Sequence, residues 1–399
     1  MTRSVVPPAG HIPSPPTTPV VFVALGTRMP PTLIEAVRQA HRQLPNSPVH
    51  VLIDNAATAR RVVHRLPRPI RAAVTVTDIA ELPMTENWAA FSGTTEQDTS
   101  FRAGFWRLTA QRLFALERFL AATPDSDLIH PENDYLLLTE EADLLGLQQS
   151  VTGVALPVGD PDHVYAALLY VRRLPSLTSA LRVLLTVLAE QPRDNEMRLL
   201  ARAMARSDLY CPLPTLPSGA DRLCHAALQP GTADTLPADV QWRNFPQFGV
   251  LFDAITLGQY LSGIDPANYA FIRRPGFANQ SSWVNPVGQQ WQLTSEAGRW
   301  RLLVETDAGW VRVVGLHLHG KDLHALDDRG ARWLRRRLQQ TQRIGAVTEL
   351  RRRDAFRVDV AYLLRYGAVN PQELRMAAIT AGSLMLRGRV PLPQRSRRT

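Results

Sequence analysis

The sequence predicts an α/β fold with a mostly parallel central sheet, followed by a helical, basic C-terminal extension. Three observations predict it. First, β-branched runs alternate with amphipathic helical stretches from Val20 onward, the order that builds a parallel sheet with helices on its faces. Second, the apolar runs end in polar clusters, Gly26-Thr27-Arg28, Asp54-Asn55 and Glu132-Asn133-Asp134. Open parallel sheets bind ligands outside the carboxyl ends of their strands, so these clusters are expected to face one crevice. Third, arginines crowd the region past Leu326, at Arg332, Arg335, Arg336, Arg337, Arg351, Arg352, Arg353, Arg395, Arg397 and Arg398.

Each element follows in chain order. Residues 1–19 are rich in Pro, Ser and Thr and read as a disordered tail. Val20 to Leu25 is a continuous apolar run, expected as a buried strand. Pro30-Pro31 opens a helix whose Leu33, Ile34, Val37 and Leu44 share one face. Val49 to Ile53 is the second strand, Ala56 to Leu66 the second helix, and Ala73 to Ile79 the third strand. A polar loop covers Glu81 to Ser100. Phe101 to Ala122 is the clearest helix, with Phe105, Leu108, Leu113, Leu116 and Leu120 at helical spacing. It leads into the strand that ends at Glu132. Val151 to Ala205 reads as mostly helical with a break at Pro175, and residues 211–246 as Pro-rich loop. Gly249 to Tyr260 is apolar with Asp253 at its centre. Trp300 to Val304 and Trp310 to Leu316 read as strands, the second ending at His317-Leu-His319-Gly-Lys321. Past Leu326 the pattern is helical to about Met385.

Composition narrows the classes. The chain has 399 residues, 45% of them hydrophobic and 20% charged, which is globular and long enough for one large domain or two. The longest apolar candidate, Leu177 to Ala189, is interrupted by Arg182 and too short to span a bilayer, so no transmembrane segment is expected. The N-terminus lacks the apolar core of a secretion signal. Two cysteines, Cys211 and Cys224, argue against a disulfide framework, and a cytoplasmic protein with reduced thiols is expected. The net charge of +9 suits nucleic acid, an anionic surface reached through the basic C-terminus, or a phosphorylated substrate; a solvated helix face is the plainer account.

Glu132 and Asp134 carry the sharpest chemistry. Two carboxylates at a strand end can hold a hard divalent cation whose other ligands are a substrate's phosphate oxygens, and such oxygen sites suit Mg²⁺ or Mn²⁺. The plainer account is a polar turn with Asp134 as a turn acid. Asp54 suits a nucleotide contact or the cap of the following helix. Arg107 and Arg112 lie on the helix that feeds the acidic strand, and arginine binds phosphate bidentately; pairing with Glu117 or solvent is the alternative. His317 and His319 flank one residue, so they point to opposite sides of a strand, and either can complete a metal shell. A zinc site that adds His324 lacks a Cys pair or a His-Glu-x-x-His helix to support it. Lys321 can neutralise a departing diphosphate. Asp253 sits in an apolar run where burial would raise its pKa, as a general base requires; binding an acceptor sugar and capping the next helix are equal alternatives. Gln259 and Tyr260 follow it toward an acceptor site. Trp242, Phe245, Phe248 and Trp283 suit stacking on a sugar or packing in the core. No Gly-x-x-x-x-Gly-Lys-Ser/Thr, Gly-x-Gly-x-x-Gly or Gly-x-Ser-x-Gly pattern is present, which sets aside kinase-like, dinucleotide and serine-hydrolase readings.

Four segments together resemble a nucleotide-sugar-dependent glycosyltransferase of the GT-A fold: Val20 to Pro31, Phe105 to Phe114, His130-Pro-Glu-Asn-Asp134 and Leu316 to Lys321. The resemblance implies a Rossmann-like GT-A domain over residues 20–326, after the tail 1–19 and before the extension 327–399. It implies a UDP- or GDP-sugar donor, Mn²⁺ or Mg²⁺, and transfer to a hydroxyl of a glycan or other acceptor. Glu132, Asp134 and His317, with His319 as the alternate, would hold the metal. Thr27, Arg28, Asp54, Arg107, Arg112 and Asn133 would face the donor, and Asp253 and Lys321 would serve catalysis. Glu132 departs from the family's Asp-x-Asp motif by one methylene, so Asp134 carries the metal role first. Two other classes stay open: a glycosyltransferase-like binding protein without catalysis, and an arginine-rich nucleic-acid-binding protein.

Overall fold

A computed structural model describes residues 17–26, 29–94, 104–224, 236–263, 276–278, 282–296, 299–319, 330–344, 349–351 and 389–391. The first half opens with β1 (Val20–Ala24), α1 (Leu33–Gln43), β2 (Val49–Ile53), α2 (Ala56–Arg65), α3 (Arg68–Arg71), β3 (Val74–Asp78), α4 (Glu86–Ser92), α5 (Phe105–Ala122) and β4 (Leu128–Pro131). Then come β5 (Tyr135–Leu137), α6 (Glu141–Ser150), β6 (Val154–Asp160), β7 (His163–Val164), β8 (Leu168–Val171), α7 (Arg173–Glu190), α8 (Glu196–Arg206) and β9 (Tyr210–Leu213). The remainder holds α9 (Phe245–Phe248), β10 (Val250–Leu251), α10 (Thr256–Ser262), β11 (Trp291–Glu296), β12 (Arg299–Thr306), β13 (Gly309–Val313), β14 (Gly315–His317), α11 (Gly330–Ile344), β15 (Glu349–Arg351) and β16 (Arg389–Pro391).

The central sheet has the order β3-β2-β1-β4-β8-β6-β7, with β9 also on β6. Strands β3, β2, β1 and β4 all run parallel. The apolar run of β1 is continuous because helices cover it: β1 is buried along its whole length, and α1 and α5 pack on it. Strand β8 joins β4 antiparallel, β6 joins β8 antiparallel, and β9 runs parallel to β6. This is the α/β class with a mostly parallel central sheet that the sequence predicts. Because β1, β2 and β4 point the same way, Gly26, Asp54 and Glu132 emerge at one edge.

Two smaller sheets complete the site's surroundings. Strands β10, β13, β12 and β11 form one, and salt bridges from Arg299 to Glu141 and from Arg312 and Arg301 to Asp143 and Glu140 tie it to the start of α6. The other is the antiparallel pair β5–β14, in which His317 lies opposite Tyr135 and Gly315 opposite Leu137. Gly315 is required there, because a Cβ would come within 2.1 Å of the Tyr135 ring.

The structure corrects several expected elements. The region 151–205 is not mostly helical: it holds β6, β7 and β8 before α7 and α8. A continuous apolar run such as Val154-Ala-Leu-Pro-Val has no period that separates a buried strand from a buried helix, and β6 is buried at every position. Pro175 does not break a helix; it sits in the first turn of α7, where its missing N–H has no intrahelical partner to lose. Helix α4 occupies part of the expected loop 81–100, capped by Thr85. The apolar run from Trp310 divides at Val314 into β13 and β14, which belong to different sheets. Of the expected helical extension, α11 is helical, β15 pairs with β16 instead, and the rest lies outside the described residues. Among the described residues no helix is long and apolar enough to cross a membrane. Neither Cys211 nor Cys224 is joined in a disulfide among the described residues.

Candidate metal centre

The chain leaves β4 at Pro131 and makes a turn closed by the Tyr135 N–H to Glu132 carbonyl bond at 3.0 Å before entering β5. That turn presents Glu132 and Asp134. Pairing of β5 with β14 then brings His317 beside them, and the Leu318 N–H donates to the Asp134 carbonyl at 2.9 Å. Among the described residues, one group of His, Cys, Asp and Glu side chains places its donor atoms within 4.8 Å of one another: Glu132, Asp134 and His317. His317 Nε2 lies 3.1 Å from Glu132 Oε2 and 3.6 Å from Asp134 Oδ2. Ligands about 2.1 Å from an octahedral ion sit about 3 Å apart when adjacent and about 4.2 Å when opposite, so two oxygens and one nitrogen at these separations fit Mg²⁺ or Mn²⁺.

The tautomer of His317 is set by its backbone neighbour. Nδ1 lies 3.1 Å from the Ala254 carbonyl, which can only accept, so Nδ1 donates and Nε2 faces the carboxylates. Burial works against the imidazolium, but Asp134 and Glu132 outweigh it and push His317 up to about 10. Without a metal, a proton on Nε2 therefore supplies the positive charge between the two acids.

Arg112 secures Glu132 from the other side. Its guanidinium lies 2.5 Å from Glu132 Oε1 and 3.3 Å from both Glu196 oxygens, and its Nε donates to the Thr109 carbonyl at 3.2 Å. With Oε1 held by Arg112, Oε2 is left toward His317, which answers how a glutamate with its extra methylene is kept in place. Burial would raise Glu132, yet Arg112 and then His317 hold it well below the carboxylate range. Burial pushes Glu196 up to about 7 against the pull of Arg112. Glu196 escaped the sequence reading because an acid in the first turn of a helix after an Asn cap looks like ordinary helix chemistry.

The other strand ends lie alongside. Asp54 Oδ2 accepts the Gly26 N–H at 2.7 Å, and Asn55 donates to the Gly26 carbonyl at 2.9 Å, so the ends of β1 and β2 are tied together. Asn55, not Asp54, caps α2. Asn133 donates to the Val23 carbonyl at 3.1 Å, and its Oδ1 has no partner among the described residues. His130 donates from Nδ1 to the Val21 carbonyl at 2.7 Å; burial first, then Arg112, lowers it to about 4, so it is neutral.

The remaining expected residues are distributed as follows. Arg107 donates to the carbonyls of Thr94 and Ser92 at 2.5 and 3.1 Å and lies over the Phe91 ring, while Glu117 accepts from Thr85 and Asn87 rather than an arginine. Arg112 faces Glu132 and Glu196 and is only 9% exposed, so neither Glu117 nor solvent is its main partner. The His319 ring is 6.0 Å from that of His317 and outside the trio. Asp253 is 2% exposed and accepts three backbone N–H groups, those of Leu257, Gly258 and His317, so capping is the alternative that its geometry matches. Gln259 and Tyr260 are buried, as is Trp283, and Trp242, Phe245 and Phe248 pack against the core. Thr27, Arg28, Lys321 and His324 lie outside the described residues.

No protein-family model and no curated protein matches the chain. Similar solved structures exist. The galactosyltransferase LgtC with donor and acceptor sugar analogues matches at 13% identity and a TM-score of 0.33, over 50% of this chain and 74% of that one. The similar structures are glycosyltransferases. Mouse xyloside xylosyltransferase 1 matches at 11% identity and a TM-score of 0.36, over 50% of this chain and 85% of that one. The PaToxG glycosyltransferase matches at 10% identity and a TM-score of 0.32, over 48% and 69%. At such low identities and scores, the functional reading rests on the site's own geometry.

Proposed function

We propose that the chain is a metal-assisted glycosyltransferase that moves a sugar from a nucleotide diphosphate donor, a UDP- or GDP-sugar, to a hydroxyl of a glycan or other acceptor. The observation that carries the proposal is the Glu132, Asp134 and His317 trio at the carboxyl end of β4, beside the tied ends of β1 and β2. Mn²⁺ or Mg²⁺ bound there would stabilise the charge that builds on the departing diphosphate.

The chain's own residues divide the remaining work. Asp134, Glu132 and His317 hold the ion, with His319 next to them. Arg112 fixes Glu132 and offsets the charge of the acids, a change from direct phosphate contact. Asp54 and Asn133 shape the strand-end floor on which the nucleotide rests, and Thr27 and Arg28 are assigned to the donor from the sequence resemblance alone; Arg107 holds the 92–94 segment. Lys321, four residues beyond His317, is assigned to the leaving diphosphate. Residues 20–326 form the transferase unit in this proposal.

A thermal-shift panel of nucleotide diphosphates with and without Mn²⁺ tests the proposal, since a ligand that binds the native state alone raises the midpoint by an amount that grows with the logarithm of its concentration over Kd. The expected result is a shift with one nucleotide that requires Mn²⁺ and disappears in Asp134→Ala. The absence of any metal-dependent shift across the panel would refute it.

A further inference from the structure

His317 is held from two directions by one short stretch of chain. The Asp253 carboxylate accepts the Leu257 N–H on Oδ1 at 2.9 Å, and on Oδ2 both the Gly258 N–H at 2.7 Å and the His317 N–H at 3.0 Å. The next residue, Ala254, accepts from the ring at Nδ1. Gly258 touches the same histidine: a Cβ there would fall 1.9 Å from the His317 carbonyl oxygen and 2.9 Å from Asp253 Oδ2. The backbone N–H and ring of one residue are thus both bonded by residues 253–258, and Gly258 packs against its carbonyl.

We infer that Asp253 is a positioning residue of the metal centre, which with Ala254 and Gly258 sets the backbone and ring of His317 so that Nε2 faces Glu132 and Asp134. The inference rests on the metal reading above. A helix cap alone needs only the N–H groups of the first turn. The third bond of Asp253 goes instead to a residue 64 positions along the chain, the proposed nitrogen ligand itself. Both carboxylate oxygens must accept for the arrangement to close. An asparagine offers one accepting oxygen, and its amide would point a donor at another donor, releasing either Leu257 or the Gly258 and His317 pair. Groups that orient metal ligands through such bonds change metal affinity by about 10–100-fold when removed.

The test is Mn²⁺ binding by titration calorimetry to the wild type, Asp253→Asn, His317→Ala and the double variant, with each protein's folded state checked by circular dichroism. Asp253→Asn is expected to weaken Mn²⁺ about 10–100-fold. In the His317→Ala background the same change is expected to weaken it no further, because Asp253 acts through that residue. Asp253→Glu, which keeps the charge but displaces it by a methylene, carries the same comparison if the asparagine variant does not fold. Mn²⁺ affinity within about twofold of wild type, or equal losses in both backgrounds, would overturn the positioning role and leave the metal reading intact. A wild type that binds no Mn²⁺ overturns both.

Discussion

Replacing Arg112 by Met should cost more stability than any ordinary core substitution of similar size. Arg112 is 9% exposed and Glu196 4% exposed, and the guanidinium satisfies Glu132, Glu196 and the Thr109 carbonyl at once. Methionine fills much of the stem's volume, so the loss is electrostatic. Removing one partner of a buried ion pair costs about 3–5 kcal/mol, because the other charge stays behind unpaired. Two carboxylates stay behind here, but Glu196, pushed up to about 7 even with Arg112 present, can take up a proton and escape part of the penalty. The loss is therefore expected at about 3–5 kcal/mol at pH 7.5 and clearly smaller at pH 5. Against a total stability of about 5–15 kcal/mol, the variant should still fold, with a lower urea midpoint. Millimolar Mn²⁺ should recover part of the loss by returning positive charge to Glu132 and Asp134. A loss under about 1 kcal/mol at pH 7.5, or an equal loss at both pH values, would refute this electrostatic account.

Three further outcomes follow from the same geometry. Burial raises the folded-state value of Glu196 from 4.5 to about 7, so its ionisation opposes folding; the contribution is most favourable below pH 4.5 and is lost as pH rises toward 7. Glu196→Gln should accordingly flatten the fall in urea stability across pH 4.5–7, and an unchanged profile would show that Glu196 ionises freely. Mn²⁺ at the trio must displace the proton on His317 Nε2, which is held up to about 10, so affinity should rise by about tenfold per pH unit between about pH 6 and 8. Calorimetry in buffers of different ionisation enthalpy should count about one proton released, and none released would refute the protonated resting state of His317. Gly315→Ala should cost about 1–3 kcal/mol or more, since its Cβ would lie 2.1 Å from the Tyr135 ring, and should weaken Mn²⁺ through the displaced β5–β14 pair. Wild-type stability and Mn²⁺ affinity would contradict the tight packing on which His317's placement depends.

Much of this protein is determined locally and can be read along the chain. The alternation of Val20–Ala24, Leu33–Gln43, Val49–Ile53 and Ala56–Arg65 specifies parallel strands and covering helices, because period and length differ between the two. The acids Glu132 and Asp134 are legible for a related reason: two charges at the end of a buried run are out of place unless something holds them. Strands β6 and β8 were not legible, since a run buried on all sides has no periodicity to show. Only the tertiary structure decided which histidine joins the acids and what Arg112 does. The choice of His317 over His319 comes from the register of β14 on β5 and the Asp253 bonds, and the task of Arg112 from Glu196 on a separate helix. Those contacts link residues dozens to nearly two hundred positions apart. Sequence pattern carries the period of each element, whereas the charge balance of a buried site is set by whatever the packed elements bring together.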